Sequence, residues 1–144
     1  MSGTWVFTAG VNTQVPDIHE QAGYFIDTTI RSHGFAALKS FTYLRKGKSL
    51  RDSVRDQLAQ RVMEQQLSET YLPCGTHVFT DTELVSRKRV SESVMILSPF
   101  DNCVIQRERT RRVFDFDYQI ECYLPEKKRR YGYFSLPVLS LIHI

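Results

Sequence analysis

Four consecutive cations, Lys127-Lys128-Arg129-Arg130, run directly into Tyr131, Tyr133 and Phe134. Positive charge beside aromatic rings suits a nucleic-acid backbone, because cations displace counterions from phosphates and rings offer stacking faces. The same run fits a solvated turn equally well, since Pro125-Glu126 precedes it and proline favours such turns. A second cluster, Arg107, Arg109, Arg111 and Arg112, reads as the alternation of a strand, some of it paired with Glu108, Asp115 or Asp117. Upstream, Lys46 and Lys48 lead into Arg51 and Arg55, one helical turn apart, with Lys39, Ser40 and Arg45 just before them. Such side chains make most phosphate contacts, yet Asp52 and Asp56 beside the arginines equally describe an ordinary solvated helix face.

Other chemistry is thin. Ser98-Pro99-Phe100-Asp101 is the sharpest local motif: proline fixes the backbone, the ring can anchor in a core, and the carboxylate can cap a turn or hold an arginine. His19, His33 and His77 have no second ligand at helical spacing, and Cys74, Cys103 and Cys122 are odd in number without a CxxC pair. Neither a metal site nor a disulfide framework is expected. The chain has no Gly-rich phosphate loop, Ser-His-Asp set or Cys-His pair, so these residues alone specify no enzyme.

At 144 residues the chain has room for one ordinary domain or two small ones. Its 42% hydrophobic and 24% charged content excludes disorder as the main state. A net charge of +3 is too mild to diagnose nucleic-acid binding by itself. No apolar run approaches the roughly 18 residues of a membrane span, and no secretory leader is readable, so a soluble cytoplasmic protein is expected.

Several elements must position the cations. Ile18, Ala22, Phe25, Ile26, Thr29 and Ile30 share a helical face between Pro16 and Ser32, with Asp17 at its start and His33-Gly34 at its end. A short second helix is expected over Phe35 to Leu44. A third runs from Ser49 to about Gln66, with Leu50, Val54, Leu58 and Val62 every fourth residue and Ser49 with Asp52 resembling a capping box. Tyr71 to Thr80 then reads as strand, Pro/Gly turn and strand. A polar link at Ser86-Arg87-Lys88-Arg89 marks a boundary near residues 84–92. Beyond it, strands are expected at Ser93–Leu97, at Val113–Leu124 with Phe114, Phe116, Tyr118, Ile120 and Cys122 on one face, and at Tyr131–Val138. The expected fold class is α+β, with a lead-in over 1–15, a three-helix winged helix-turn-helix over 16–82 and an antiparallel β domain over 92–138.

An ordered series of segments runs through the second half: Ile96 to Asn102, Arg107-Glu108-Arg109, Phe114 to Glu121, Tyr123-Leu124-Pro125, Lys128 to Phe134 and Leu136-Pro137. It closely resembles the YcaQ/AlkZ-type winged-helix DNA glycosylases of crosslink and alkylation repair. Asp27 to Arg31, His33-Gly34-Phe35 and Leu44 to Gly47 are similar to the last winged helix of that family. The signature positions are Ser98, Pro99, Phe100, Asp101, Arg107, Arg109, Tyr131 and Gly132. The resemblance implies hydrolysis of the N-glycosidic bond of an alkylated or interstrand-crosslinked base in damaged double-stranded DNA, without metal or organic cofactor. The parent would be a monomer at the bacterial nucleoid. The family's catalytic Gln-x-Gln or Gln-x-Asp motif lies in an N-terminal winged helix with no match here, so no catalytic residue is assigned. Gln119-Ile120-Glu121 imitates it only superficially and lies in the β-domain match, which makes Glu121 structural. A carboxylate such as Asp101 could serve glycosidic cleavage, but structure accounts for it better.

Leu139 to Ile144 matches the translation of a common transposase sequencing-adapter end. The chain therefore reads as a fragment whose β domain is truncated. Two other readings stay open: a winged-helix regulator reading base edges through Arg51, Arg55 and Gln57, and a structural β domain without DNA contact.

Overall fold

The computed structural model describes residues 14–82 and 93–140. The boundary expected near residues 84–92, with its polar link at 86–89, lies outside the described residues. Helix α1 (Ile18–His33) begins at a capping box. The Glu20 amide donates to Asp17 Oδ1 at 2.8 Å and the Asp17 amide to Glu20 Oε2 at 3.0 Å, which satisfies two otherwise orphaned donors. At its other end Gly34, at φ 75°, donates its amide to the Ile30 carbonyl. That conformation suits glycine because it has no Cβ.

The chain continues through β1 (Phe35–Ala36), α2 (Leu38–Phe41), α3 (Lys48–Met63), β2 (Leu67–Tyr71) and β3 (His77–Asp81). The three strands form an antiparallel sheet in the order β1-β3-β2, with Phe35 opposite Thr80 and Tyr71 opposite His77. Its core joins Ala22, Ile26 and Ile30 of α1 to Leu50, Val54 and Leu58 of α3, closed by Ala36, Phe41, Leu67 and Phe79. Polar ties flank that seam: Gln57 Nε2 donates to the His19 carbonyl at 2.7 Å, and Arg61 pairs with Asp27. Gly23 permits the approach, since a Cβ there would meet Gln57 Oε1 at 3.3 Å.

Two expectations for this half need correction. The second helix does not begin at Phe35: Phe35 and Ala36 pair with β3, and only Leu38–Phe41 is helical. Pairing gives the outer edge of β3 a backbone partner, which a longer helix would deny it. The third helix starts at Lys48 after Gly47, and no side chain caps it, so Ser49 and Asp52 form no capping box.

Beyond residue 92 the chain forms β4 (Val94–Ile96), α4 (Arg107–Phe114), a 3-10 turn (Glu126–Lys128) and β5 (Val138–Ser140). Strand β4 pairs antiparallel with β5, Met95 facing Leu139. Leu139 and Ser140, the first residues of the segment read as adapter translation, thus lie in this sheet. The expected strands over Val113–Leu124 and most of Tyr131–Val138 are absent among the described residues. The arginine run is helical rather than alternating, supported by an i,i+4 pair between Glu108 and Arg112 at 2.5 Å. Asp115, at φ 48°, ends the helix. The aromatic alternation that follows is real, but period two marks any extended chain, whereas a strand also needs a backbone partner. The structure is α+β, and none of its described helices is long and apolar enough to cross a membrane.

Ile26 is fully buried whereas Met63 is 85% exposed. Urea denaturation should show Ile26→Ala losing about 2–5 kcal/mol of stability, and Met63→Ala less than about 0.5 kcal/mol.

Candidate nucleic-acid interface

Helix α4 brings the second half of the chain onto the first. Tyr43 donates its hydroxyl to the Ile105 carbonyl at 3.2 Å, and Arg109 donates to the His33 carbonyl at 3.2 Å. Between α2, the β2–β3 hairpin and α4 lies an apolar cleft lined in part by Lys39, Ser40, Tyr43, Thr76, Arg109 and Arg112. Glu108 sits among these cations, 3.9 Å from Lys39 and 2.5 Å from Arg112. Lys39 thus meets Glu108 of α4, and Ser40 lines the same cleft.

At the inner edge of this junction, Gln106 Nε2 lies 3.3 Å from His33 Nε2. Burial first, and the Arg109 charge second, hold His33 below the ordinary histidine range. A neutral ring can accept from the Gln106 amide, while a protonated one would oppose donor to donor. Arg109 itself is half-buried and has no carboxylate partner among the described residues. It donates to the Asn102 and His33 carbonyls, stacks 4.7 Å from the Phe35 ring centroid, and leaves its Nε buried and unpartnered.

The cations around α3 differ in freedom. Arg45 donates to the Tyr43 carbonyl and lies 3.8 Å over the Phe25 ring. Arg51 donates to the Gly47 carbonyl at 3.2 Å, and Arg55 pairs with Asp52 at 3.1 Å. Lys46 and Lys48 are exposed and have no ion pair among the described residues. Gln57, one of the three side chains considered as base readers, is buried against α1 and cannot read a groove.

A separate basic surface lies on the loop after Tyr123. Lys127 and Lys128 are exposed in the 3-10 turn, Arg129 donates to the Leu124 carbonyl and lies 5.0 Å from the Tyr133 ring, and Arg130 lies 5.0 Å from Tyr131. Beneath them the buried Glu121 carboxylate accepts the backbone amides of Arg130, Tyr131 and Gly132 at 2.7–3.1 Å. These amides, those of Arg130 and Tyr131 foremost, hold its carboxyl below the ordinary glutamate range. Among the described residues no hydrogen bond or ion pair links this loop to α3.

The remaining signature positions build a turn. Ser98 Oγ accepts the Phe100 amide at 3.2 Å, and Asp101 Oδ1 accepts the Cys103 amide at 2.8 Å. Arg107 is exposed at the start of α4. No group of three potential metal ligands occurs among the described residues.

A family model described as DNA glycosylase AlkZ-like matches residues 3–140. The chain belongs to the AlkZ-like DNA glycosylase family. No solved structure matches it. The AlkZ-like match spans both halves and the junction between them, so the α4 contacts lie inside one family unit. Sequence reasoning missed two features of that unit: the His33–Arg109 contact and the cradle around Glu121. Their sequence signal was that His33, Arg109, Glu121, Tyr131 and Gly132 stand in the segments that carry the resemblance, with Glu121 expected to be structural.

Because the folded-state pKa of His33 is depressed, the unfolded chain takes up its proton first as the solution is acidified. Stability should be fully present above about pH 6.5 and decline as the pH falls below it. Chemical denaturation at pH 7 and pH 5 should show this loss, and His33→Gln should reduce it.

Proposed function

We propose that this chain is a DNA-gripping portion of a glycosylase that hydrolyses the N-glycosidic bond of alkylated or interstrand-crosslinked bases in damaged double-stranded DNA. Within it, α1 to β3 act as a winged helix: three helices followed by a hairpin, with β1 completing a sheet of order β1-β3-β2. The family match carries this reading. Exposed cations without acidic partners, Lys46, Lys48, Lys127 and Lys128, support it among the described residues. A cation already paired to a carboxylate gains less from a phosphate, which ranks these lysines above Arg55, Arg111 and Arg112 in gripping the DNA backbone.

These residues bind and orient; they are given no step in bond cleavage. Glycosidic hydrolysis needs a group that activates water and stabilises an oxocarbenium-like sugar. Asp101 and Glu121 are both engaged by backbone amides, so neither is free for that work. The reaction would instead use the family's Gln-x-Gln or Gln-x-Asp motif, working as a monomer at the bacterial nucleoid without metal or organic cofactor. A base-reading regulator is less well supported, because Gln57 is committed to α1.

Titration of a fluorescent duplex should show binding that weakens steeply with salt and depends little on sequence. Replacing Lys46 and Lys48 by Ala should lower the slope of log affinity against log salt by about 0.9 for each phosphate that the lysines had neutralised. No binding at low salt by the folded chain would overturn the reading. Release of free base from an alkylated duplex by the product of the complete reading frame tests the chemistry.

A further inference from the structure

Resting on the reading that the loop from Glu126 to Tyr133 meets DNA, we propose that Glu121 is a positioning residue, whose carboxylate holds the basic-aromatic loop in its DNA-binding shape. The acid is buried and about ten residues upstream of the amides it binds. Three successive backbone N–H groups converge on it: Arg130 reaches both oxygens, at 2.9 and 3.0 Å, while Tyr131 and Gly132 reach Oε2 at 2.7 and 3.1 Å. Successive amides pointing at one anion form a nest, and here the chain supplies its own anion. Gly132 contributes by adopting φ 111°, a conformation an L side chain resists, with open space where a Cβ would stand.

The consequence runs outward. With the backbone of Arg130 to Gly132 fixed, Arg130 rests against Tyr131 and Arg129 against Tyr133, so both guanidinium groups are held near the surface before DNA arrives. Ordering long cationic side chains in advance lowers the entropy cost of binding. Depression of its carboxyl by the amides keeps Glu121 ionised at neutral pH.

This role makes a counterintuitive claim, because Glu121 is a negative charge beside a phosphate-binding surface. Electrostatics alone says that removing it tightens DNA binding. Positioning says that Glu121→Gln, which replaces one acceptor oxygen by an amino group, weakens it. For the full chain on a plain fluorescent duplex, Glu121→Gln should bind roughly threefold to tenfold more weakly with a shallower salt slope. Glu64→Gln, at an exposed acid just after α3 and outside this loop, should bind as well as or better than the parent. Gly132→Ala disturbs the cradle without changing charge and should also weaken binding, which keeps the test open if Glu121→Gln fails to fold. Amide exchange at residues 130–132 should quicken in both cradle variants. Combining Glu121→Gln with Lys128→Ala and Arg130→Ala should add little to the loss from the two loop substitutions, since both act through one surface.

Cradle variants with faster exchange but undiminished affinity would overturn the positioning role while leaving the loop's DNA contact intact. If Lys128→Ala with Arg130→Ala leaves binding unchanged, the loop's DNA contact fails and the positioning role fails with it. Loss of binding by the unsubstituted chain at low salt would instead sink the wider DNA-gripping reading.

Discussion

The seam between α1 and α3 is the constraint on which the first half depends. Ala22, Ile26 and Val54 are fully buried there, and Leu58 nearly so. Because helices packed this closely have few voids, their relative position fixes where the exposed face of α3 points. Gln57 and Arg61 extend the seam with polar contacts to α1, so one side of α3 is fully committed. Only the outer side, with Arg51 and Arg55, and the preceding Lys46 and Lys48 remain to meet a partner. The sheet then closes the core from below through Phe79, whose ring meets Phe41 edge-on at 6.1 Å.

The second half is held differently. Among the described residues its buried apolar side chains are Val104, Tyr118 and Pro137, and much of its order comes from polar groups that meet backbone. Asp101 binds the Cys103 amide, Thr110 donates to the Cys103 carbonyl, Tyr118 donates to the Ser135 carbonyl, and Glu121 gathers three amides. Such contacts specify loop shape well, because each is directional and costly to leave unmade once buried. They contribute less bulk stability than a packed core does. The attachment of this half through His33, Gln106 and Arg109 therefore bears on its integrity as well as its placement.

Legibility in the sequence followed that division. Helix α1 was readable to within a residue or two because Asp17, the apolar stripe and Gly34 are all local signals, and the turn and second strand of the β2–β3 hairpin were readable from Pro73 and Gly75, whereas β2 occupies Leu67–Tyr71, ahead of the strand expected from Tyr71. Strand β1 was not, because two residues carry no period and only β3 makes them a strand. Helix α4 was missed for a different reason: Arg107 to Arg112 offers no apolar stripe, and its one i,i+4 ion pair is invisible to a hydrophobic pattern. The alternating aromatics from Phe114 to Cys122 predicted a strand wrongly: Phe114 closes α4, Asp115 is left-handed, and Cys122 lies in a turn. At the candidate site, residue type located the cations, but their pairing decides their use. Asp52, one turn before Arg55, was a local sign of that pairing, whereas the freedom of Lys48, which has no ion pair among the described residues, had no such sign.

That separation also explains why the loop after Tyr123 needs an acid beneath it. Neighbouring like charges at Lys127 to Arg130 repel one another, and a free loop would spread them into solvent in many conformations. Acidic side chains placed between them would restrain the spread but would also cancel their positive field. Glu121 lies buried below the loop and binds backbone, so it restrains the chain while the cationic side chains stay exposed or rest on rings. Arg129 and Arg130 make no ion pair among the described residues and lie against Tyr133 and Tyr131, although the Arg129 charge also acts on Glu121. A ring face steadies a cation without removing its charge. Restraint through the backbone and steadying by aromatics together keep the four cations in one compact surface with a single buried acid beneath them.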